Sequence, residues 1–250
     1  MNTYLPVDRN SYVSDHTFKP FDHELEALGR RVAEMGGVAE KILTDATDGL
    51  FAFDVDMVRR AAASGLLLDT LRRDIEENAI VTIAREQPVS VDLRECIAAL
   101  RVASDLVRIG ARARDIANRA IGIIAEARSS RAFIGLKSMR EVAEKQLKDV
   151  LDAYAQGDVV RARAVWFDDA DLDALEDSVF RDLLTFMMED PRNITFCTHL
   201  LFCSKNLERI GDHTTNIAET VVWMVSGERM PIERPKTKIA SPSIDADREP

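Results

Sequence analysis

A chain of 250 residues, 46% hydrophobic and 30% charged, can bury one sizeable core or two smaller ones side by side, and its mixture is that of a water-soluble helical protein. Its formal net charge of −10 argues against nucleic acid as a partner, because phosphate-backbone recognition rests on Lys and Arg contacts that release counterions. Cys96, Cys197 and Cys203 are too few and too widely spaced for a disulfide framework, so reduced core thiols are expected.

The N-terminus, from Met1 to Pro6, has no basic flank or apolar run, and no stretch reaches a charge-free spanning length; a cytoplasmic protein is expected. Residues 1–19 read as a flexible lead segment. Pro20 marks the start of a first helix, on which Phe21, Leu25, Leu28, Val32, Met35, Ala39, Ile42 and Ala46 step by four and three. Gly49 and Asp54 then suggest a turn. A second helix is expected from about Asp54 to Arg85, with Val58, Ala62, Leu68, Leu71, Ile75 and Ile83 facing inward. Proline breaks helix interiors, so Pro88 marks a turn before a third helix that runs through Leu93, Ile97, Leu100, Val107 and Ile116 to about Ala127. The same cycle then returns. Phe133, Leu136, Val142, Leu147, Val150 and Tyr154 form a fourth helix that stops near Gly157-Asp158. Val159, Val165, Leu172, Leu175, Val179 and Leu183 form a fifth, and beyond Pro191 a sixth carries Ile194, Leu201, Leu207, Ile217, Val221 and Val225. After about Gly227, the tail crowded with Pro231, Pro235, Pro242 and Pro250 reads as disordered. The expectation is an all-α fold of two tandem, pseudo-symmetric three-helix bundles, six long antiparallel helices in all. Their bounds are 20–129 and 130–226, with a polar tail at 227–250.

Part of the chain is a repeat. Leu106-Val107-Arg108-Ile109-Gly110-Ala111, continuing to Ile116-Ala117, returns as Leu207-Glu208-Arg209-Ile210-Gly211-Asp212, continuing to Ile217-Ala218; the displacement is constant (207 − 106 = 101). Residues four apart share a helix face, so Glu208 and Asp212 present two carboxylates to one neighbour where the first copy presents Val107 and Ala111. The fifth helix carries a second such pair, Asp169 and Asp173, which antiparallel packing against the sixth would set opposite the first. Four crowded carboxylates are unfavourable unless a cation neutralises them or some take up protons, and oxygen donors suit a hard or borderline metal. The same spacing also describes a solvated acidic face, with Arg209 joining an ordinary ion-pair network, and spacing alone does not choose. Glycine inside a helix costs about 1 kcal/mol against alanine. Gly110 and Gly211 therefore point to close approach of another backbone or an ion's shell, or to tight helix packing. His199 and Cys203, with Cys197 nearby, lack the second cluster of a structural zinc site. His213, beside Asp212, is a candidate to support the carboxylates, or an exposed residue. Trp166 and Trp223 lie on apolar stripes, as core or interface residues.

The string from Leu207 through Glu208-Arg209-Ile210-Gly211-Asp212-His213 to Glu219, its weaker echo at Leu106 to Ala117, and the turn Gln87-Pro88-Val89-Ser90-Val91-Asp92-Leu93-Arg94 together resemble the PhoU family. The resemblance extends from about Phe21 to Gly227. It implies two tandem three-helix bundles bearing acidic motifs that in relatives bind metal ions. Here the ligands would be Asp169, Asp173, Glu208 and Asp212, and the ion a divalent or trivalent one such as Mg, Mn, Fe or Zn. It also implies a cytoplasmic, homodimeric regulatory adaptor with no catalytic residues to carry over. Such a protein couples the ATPase subunit of a high-affinity phosphate ABC transporter to the phosphate sensor histidine kinase, and reaches the membrane through those partners alone. With phosphate plentiful, it holds the phosphate-starvation response off. The first half departs from the pattern: it has Val107 and Ala111 in place of the acids, and Gly65 where the second half has Asp169. Asp69 matches Asp173, and Asp115 lies one turn beyond Ala111, but neither makes the usual pair. A metal site is therefore expected in the second bundle alone. The competing class is a metal-dependent helical-bundle enzyme or metal-storage protein; di-iron bundles use Glu-x-x-His pairs, and the chain contains none.

Overall fold

The computed structural model describes residues 19–126 and 131–231; the lead segment up to residue 18 and the polar tail from residue 232 lie outside the described residues. The helices are α1 (Lys19–Ala52), α2 (Val55–Ala63), α3 (Gly65–Glu86), α4 (Ser90–Glu126), α5 (Ile134–Gln156), α6 (Val159–Glu189) and α7 (Ile194–Ser226). Single 3-10 turns at Arg131–Phe133 and Pro191–Asn193 lead into α5 and α7, and no strand occurs among the described residues. These are the six expected helical segments, the second of them interrupted. Its break falls at Ser64, whose N–H donates to the Ala61 carbonyl and whose hydroxyl donates to the Arg60 carbonyl.

The first turn comes later than Gly49 suggests. α1 continues to Ala52 because Gly49 serves packing: a Cβ there would stand 2.7 Å from Val58 Cγ2. The chain reverses at Phe53, with φ of 59°, and Asp54 Oδ1 accepts from the N–H groups of Asp56 and Met57 at 3.0 and 2.9 Å to cap α2. Further along, Gln87 closes α3 in the left-handed region ahead of Pro88, Gly157 closes α5, and Asp158 caps α6 through the Arg161 N–H. Asp190 receives the Arg192 N–H in the turn that holds Pro191. Both internal prolines thus sit in turns, as their chemistry requires.

Within each half, one glycine sets the packing. A Cβ on Gly110 of α4 would overlap Leu68 Cδ1 of α3, and a Cβ on Gly211 of α7 would lie 2.5 Å from Leu172 Cδ2 of α6. The two glycines are repeat equivalents, and each receives a leucine from the preceding helix. Tight helix packing therefore accounts for both. Between the halves, α4 and α7 run antiparallel: Arg94 Nε donates to the Met224 carbonyl at 3.0 Å, while Asp105, eleven residues on, meets His213, eleven residues back. α1 and α5 pair in the same sense. Thr44 donates to Glu144 at 2.9 Å and Asp48 meets Arg140 at 2.8 Å. First helix against first helix, last against last, is the arrangement of a pseudo-two-fold, and one hydrophobic core runs through both halves. Cys96, Cys197 and Cys203 are buried free thiols, and burial pushes Cys96 up to about 11 and Cys203 up to about 12.

The same substitution should have opposite effects at two glycines. Gly37 of α1 is exposed with nothing near its missing Cβ, so Gly37→Ala stabilises by roughly 0.5–1 kcal/mol through helix propensity. Gly110→Ala must displace the buried Leu68 side chain and destabilises by about 1–3 kcal/mol. Urea denaturation of the two variants measures both. Equal shifts would show that the notch in α4 is not tight.

Candidate metal centre

α6 and α7 are antiparallel neighbours. Trp166 Nε1 donates to Glu219 Oε1 at 2.9 Å, Asp169 and Leu172 lie beside Gly211, and Glu176 acts electrostatically on Lys205, so the chain ascends α6 as it descends α7. That direction turns Asp169 and Asp173 toward Glu208 and Asp212. Asp169 is 2% exposed, and a Cβ on Gly211 would stand 2.9 Å from its Oδ1 and 3.3 Å from Gln146 Oε1. The glycine thus admits both a leucine and a carboxylate to the surface of α7.

Glu208 is the centre of the charge. Burial is the main cause that raises its pKa; a hydrogen bond from Lys205 opposes this, and the neighbouring Asp212 and Asp173 raise it further. Lys205 Nζ takes one oxygen, Oε1, at 2.9 Å. The other, Oε2, is buried with no hydrogen-bond partner. A second buried acceptor without a partner belongs to Gln146 of α5, whose Nε2 donates to the Asp168 carbonyl at 3.2 Å while Oε1 makes no hydrogen bond. Leaving such an acceptor unsatisfied costs about 1–3 kcal/mol. Asp169, Asp173 and Asp212 each have an interaction of their own.

The four carboxylates share this groove, yet among the described residues no three His, Cys, Asp or Glu side chains close on one point as a ligand set. What fits a cation is the donor chemistry: oxygen acceptors, two of them buried and unpaired, with Lys205 the cation hydrogen-bonded to Glu208. Gln146 is absent from the reading of the sequence. Its signal was a lone polar residue on the apolar stripe of Met139, Ala143, Leu147 and Val150, all of them buried on α5.

In the first bundle the equivalent place is filled differently. A Cβ on Gly65, which stands where Asp169 does, would overlap the Arg114 guanidinium. Asp115 pairs with Arg112 at 3.2 Å. The first bundle thus places a guanidinium where the second has a buried carboxylate. His213, beside Asp212 in sequence, turns away from the acids and meets Asp105 of α4 at 3.0 Å. His199 faces Gly122 of α4, with its Nδ1 buried and unpaired, and no zinc-type ligand group forms with Cys197 or Cys203 among the described residues.

Comparison with known proteins bears on the fold and the family. The PhoU domain matches twice, at residues 32–120 and 136–221. A phosphate-specific transport system accessory protein PhoU homolog of Rhizobium meliloti (strain 1021) is 45% identical over 226 residues, covering 90% of this chain and 95% of that protein. Its counterpart in Caulobacter vibrioides (strain NA1000 / CB15N) is 42% identical over 230 residues, 92% of this chain and 100% of that one. The crystal structure of PhoU from Pseudomonas aeruginosa superposes with a TM-score of 0.80 at 34% identity, covering 83% of this chain and 100% of that one.

The raised pKa of Glu208 has a definite sign. Its folded form holds a proton more tightly than the unfolded chain, whose ordinary value is 4.5; the stabilising contribution is therefore complete below that value and is lost as pH rises through the higher folded value. In metal-free protein, Glu208→Gln should raise stability at pH 7 relative to the parent, and the gain should shrink toward pH 4. Urea melts across that range test it. A gain that is independent of pH would mean the carboxylate is not strained by its surroundings.

Proposed function

We propose that this chain, which belongs to the PhoU family, is a non-catalytic accessory regulator of phosphate transport. The observation that carries this reading is the span of the match: two PhoU domains, and a relative named as a phosphate-specific transport system accessory protein that aligns over 95% of its own length. In the finer form of the proposal, the protein is a homodimeric cytoplasmic adaptor. It docks on the ATPase subunit of a phosphate ABC transporter and on the phosphate sensor histidine kinase, and it represses the starvation response when phosphate is plentiful. No helix among the described residues is long and apolar enough to cross a membrane.

The acidic groove of the second bundle is the proposed regulatory metal site. Asp169, Asp173, Glu208 and Asp212 would hold a hard cation there, which would neutralise their mutual repulsion and tie the surface of α6 to that of α7. Two unpaired buried acceptors, Glu208 Oε2 and Gln146 Oε1, support this assignment. Arg114 over Gly65 supports restricting it to one bundle.

Two measurements test the proposal at its two levels. In a strain lacking the protein, phosphate-starvation genes should stay on in phosphate-rich medium, and normal repression there would refute the regulatory role. Elemental analysis of protein purified without chelator should find bound metal, and the double variant Glu208→Ala/Asp212→Ala should carry none. Metal kept at full stoichiometry in that variant would place the ion elsewhere.

A further inference from the structure

Toward the C-terminal end of α7, the seam between the bundles opens into a cleft of about 780 Å3, within the range of sites that take drug-sized ligands. Arg101, Asp105 and Arg108 face it from α4, and His213, Asn216 and Trp223 face it from α7, each set at steps of three, four or seven along one helix face. Arg229 lines it from beyond the end of α7.

The charges in this cleft do not cancel. Its two acids are engaged: Asp105 with His213 at 3.0 Å and with Asn216 Nδ2 at 3.5 Å, and Glu219 with the Trp166 indole N–H at 2.9 Å. Its three arginines are all exposed, and among the described residues the side chains of Arg108 and Arg229 make no hydrogen bond or ion pair. Arg101 stacks over the Trp223 ring, 4.3 Å from its centroid, and makes no ion pair either. Three arginines against two carboxylates leave the cleft with a formal charge of +1, in a chain whose acids outnumber its bases by ten (43 against 33).

We propose that the cleft binds a small molecule carrying two or more linked phosphoryl groups, either a nucleoside di- or triphosphate or an inorganic pyrophosphate. This rests on the cleft alone and is independent of the regulatory reading. Guanidinium forks match phosphoryl oxygens two at a time. Arg101 and Arg108 are seven residues apart, about 10 Å along α4, so a single tetrahedral anion meets one end while a chain of phosphoryl groups spans toward both. Ser104 and the second amide N–H of Asn216 offer neutral donors between the charges. The flat guanidinium of Arg101, held by Trp223, offers a stacking surface for a base.

Isothermal titration of the full-length, chelator-treated protein with orthophosphate, pyrophosphate, tripolyphosphate, ATP and adenosine tests the assignment without contribution from the acidic groove. Pyrophosphate or ATP should bind at least about tenfold more tightly than orthophosphate, a gap of about 1.4 kcal/mol, and affinity should fall steeply as salt rises. Tighter binding of ATP than of inorganic tripolyphosphate, which has the same number of phosphoryl groups, assigns a nucleotide on the Arg101 surface, and equal binding assigns the inorganic chain. Arg101→Ala/Arg108→Ala should weaken binding about tenfold per arginine lost, with helicity by circular dichroism unchanged. Arg229→Ala, outside every helix, gives a second reading should the double variant fold poorly. No binding of pyrophosphate or ATP at millimolar concentration, adenosine binding as well as ATP, or undiminished binding by the arginine variants would overturn the proposal.

Discussion

The width of a methyl group limits how close α3 can come to α4, and α6 to α7. Leu68 and Leu172 fill the space that a side chain at Gly110 or Gly211 would need. Each glycine costs about 1 kcal/mol of helix propensity. Each leucine, 1% exposed or less, returns roughly 1.5–3 kcal/mol by burial. Packing wins, and its geometry then dictates what the second bundle contains. Because α6 lies so near α7, Asp169 is carried into the interior beside Gly211, and Glu208 is half-enclosed one turn away. The buried carboxylates follow from the leucine notch; they are not an independent surface decoration.

The two bundles show how one backbone accommodates opposite charges. At the position of Asp169 the first bundle has Gly65, and the absence of a side chain there lets the Arg114 guanidinium lie against the helix. A guanidinium is a permanent cation on a long stem, so the first bundle carries positive charge of its own where the second places a carboxylate. Val107 and Ala111 stand on that face of α4 where α7 has its acids.

Much of the fold was legible from apolar periodicity and from Pro88 and Pro191, because long amphipathic helices and proline turns are local features. The break at Ser64 was not, since Ala61-Ala62-Ala63 and Leu66-Leu67-Leu68 outweigh, as helix formers, the Ser64-Gly65 pair between them. Gly49 misled in the other direction: it resembles a turn residue but makes room for Val58. In the site, the two acidic pairs were visible as four-residue spacings. Gln146 required knowledge of which helix packs on which. Reading His213 as support for Asp212 failed because adjacent residues on a helix point about 100° apart; His213 is directed across the seam to Asp105.

The pairing of α4 with α7 has a further implication. In the register set by Arg94 with Met224 and Asp105 with His213, a residue lies opposite its own repeat counterpart midway between Arg108 and Ile109 on one helix and Arg209 and Ile210 on the other. That is the geometry of an isologous contact between two identical half-length chains, in which any change of residue is necessarily made at both ends of the interface. Covalent linkage of the halves lifts that requirement. One end of the seam carries Arg101 over Trp223 and Asp105 against His213, while the other carries Arg119 over Phe202 and His199 against Gly122. A contact surface that in two separate chains would have to match itself is free, within one chain, to hold different chemistry at its two ends.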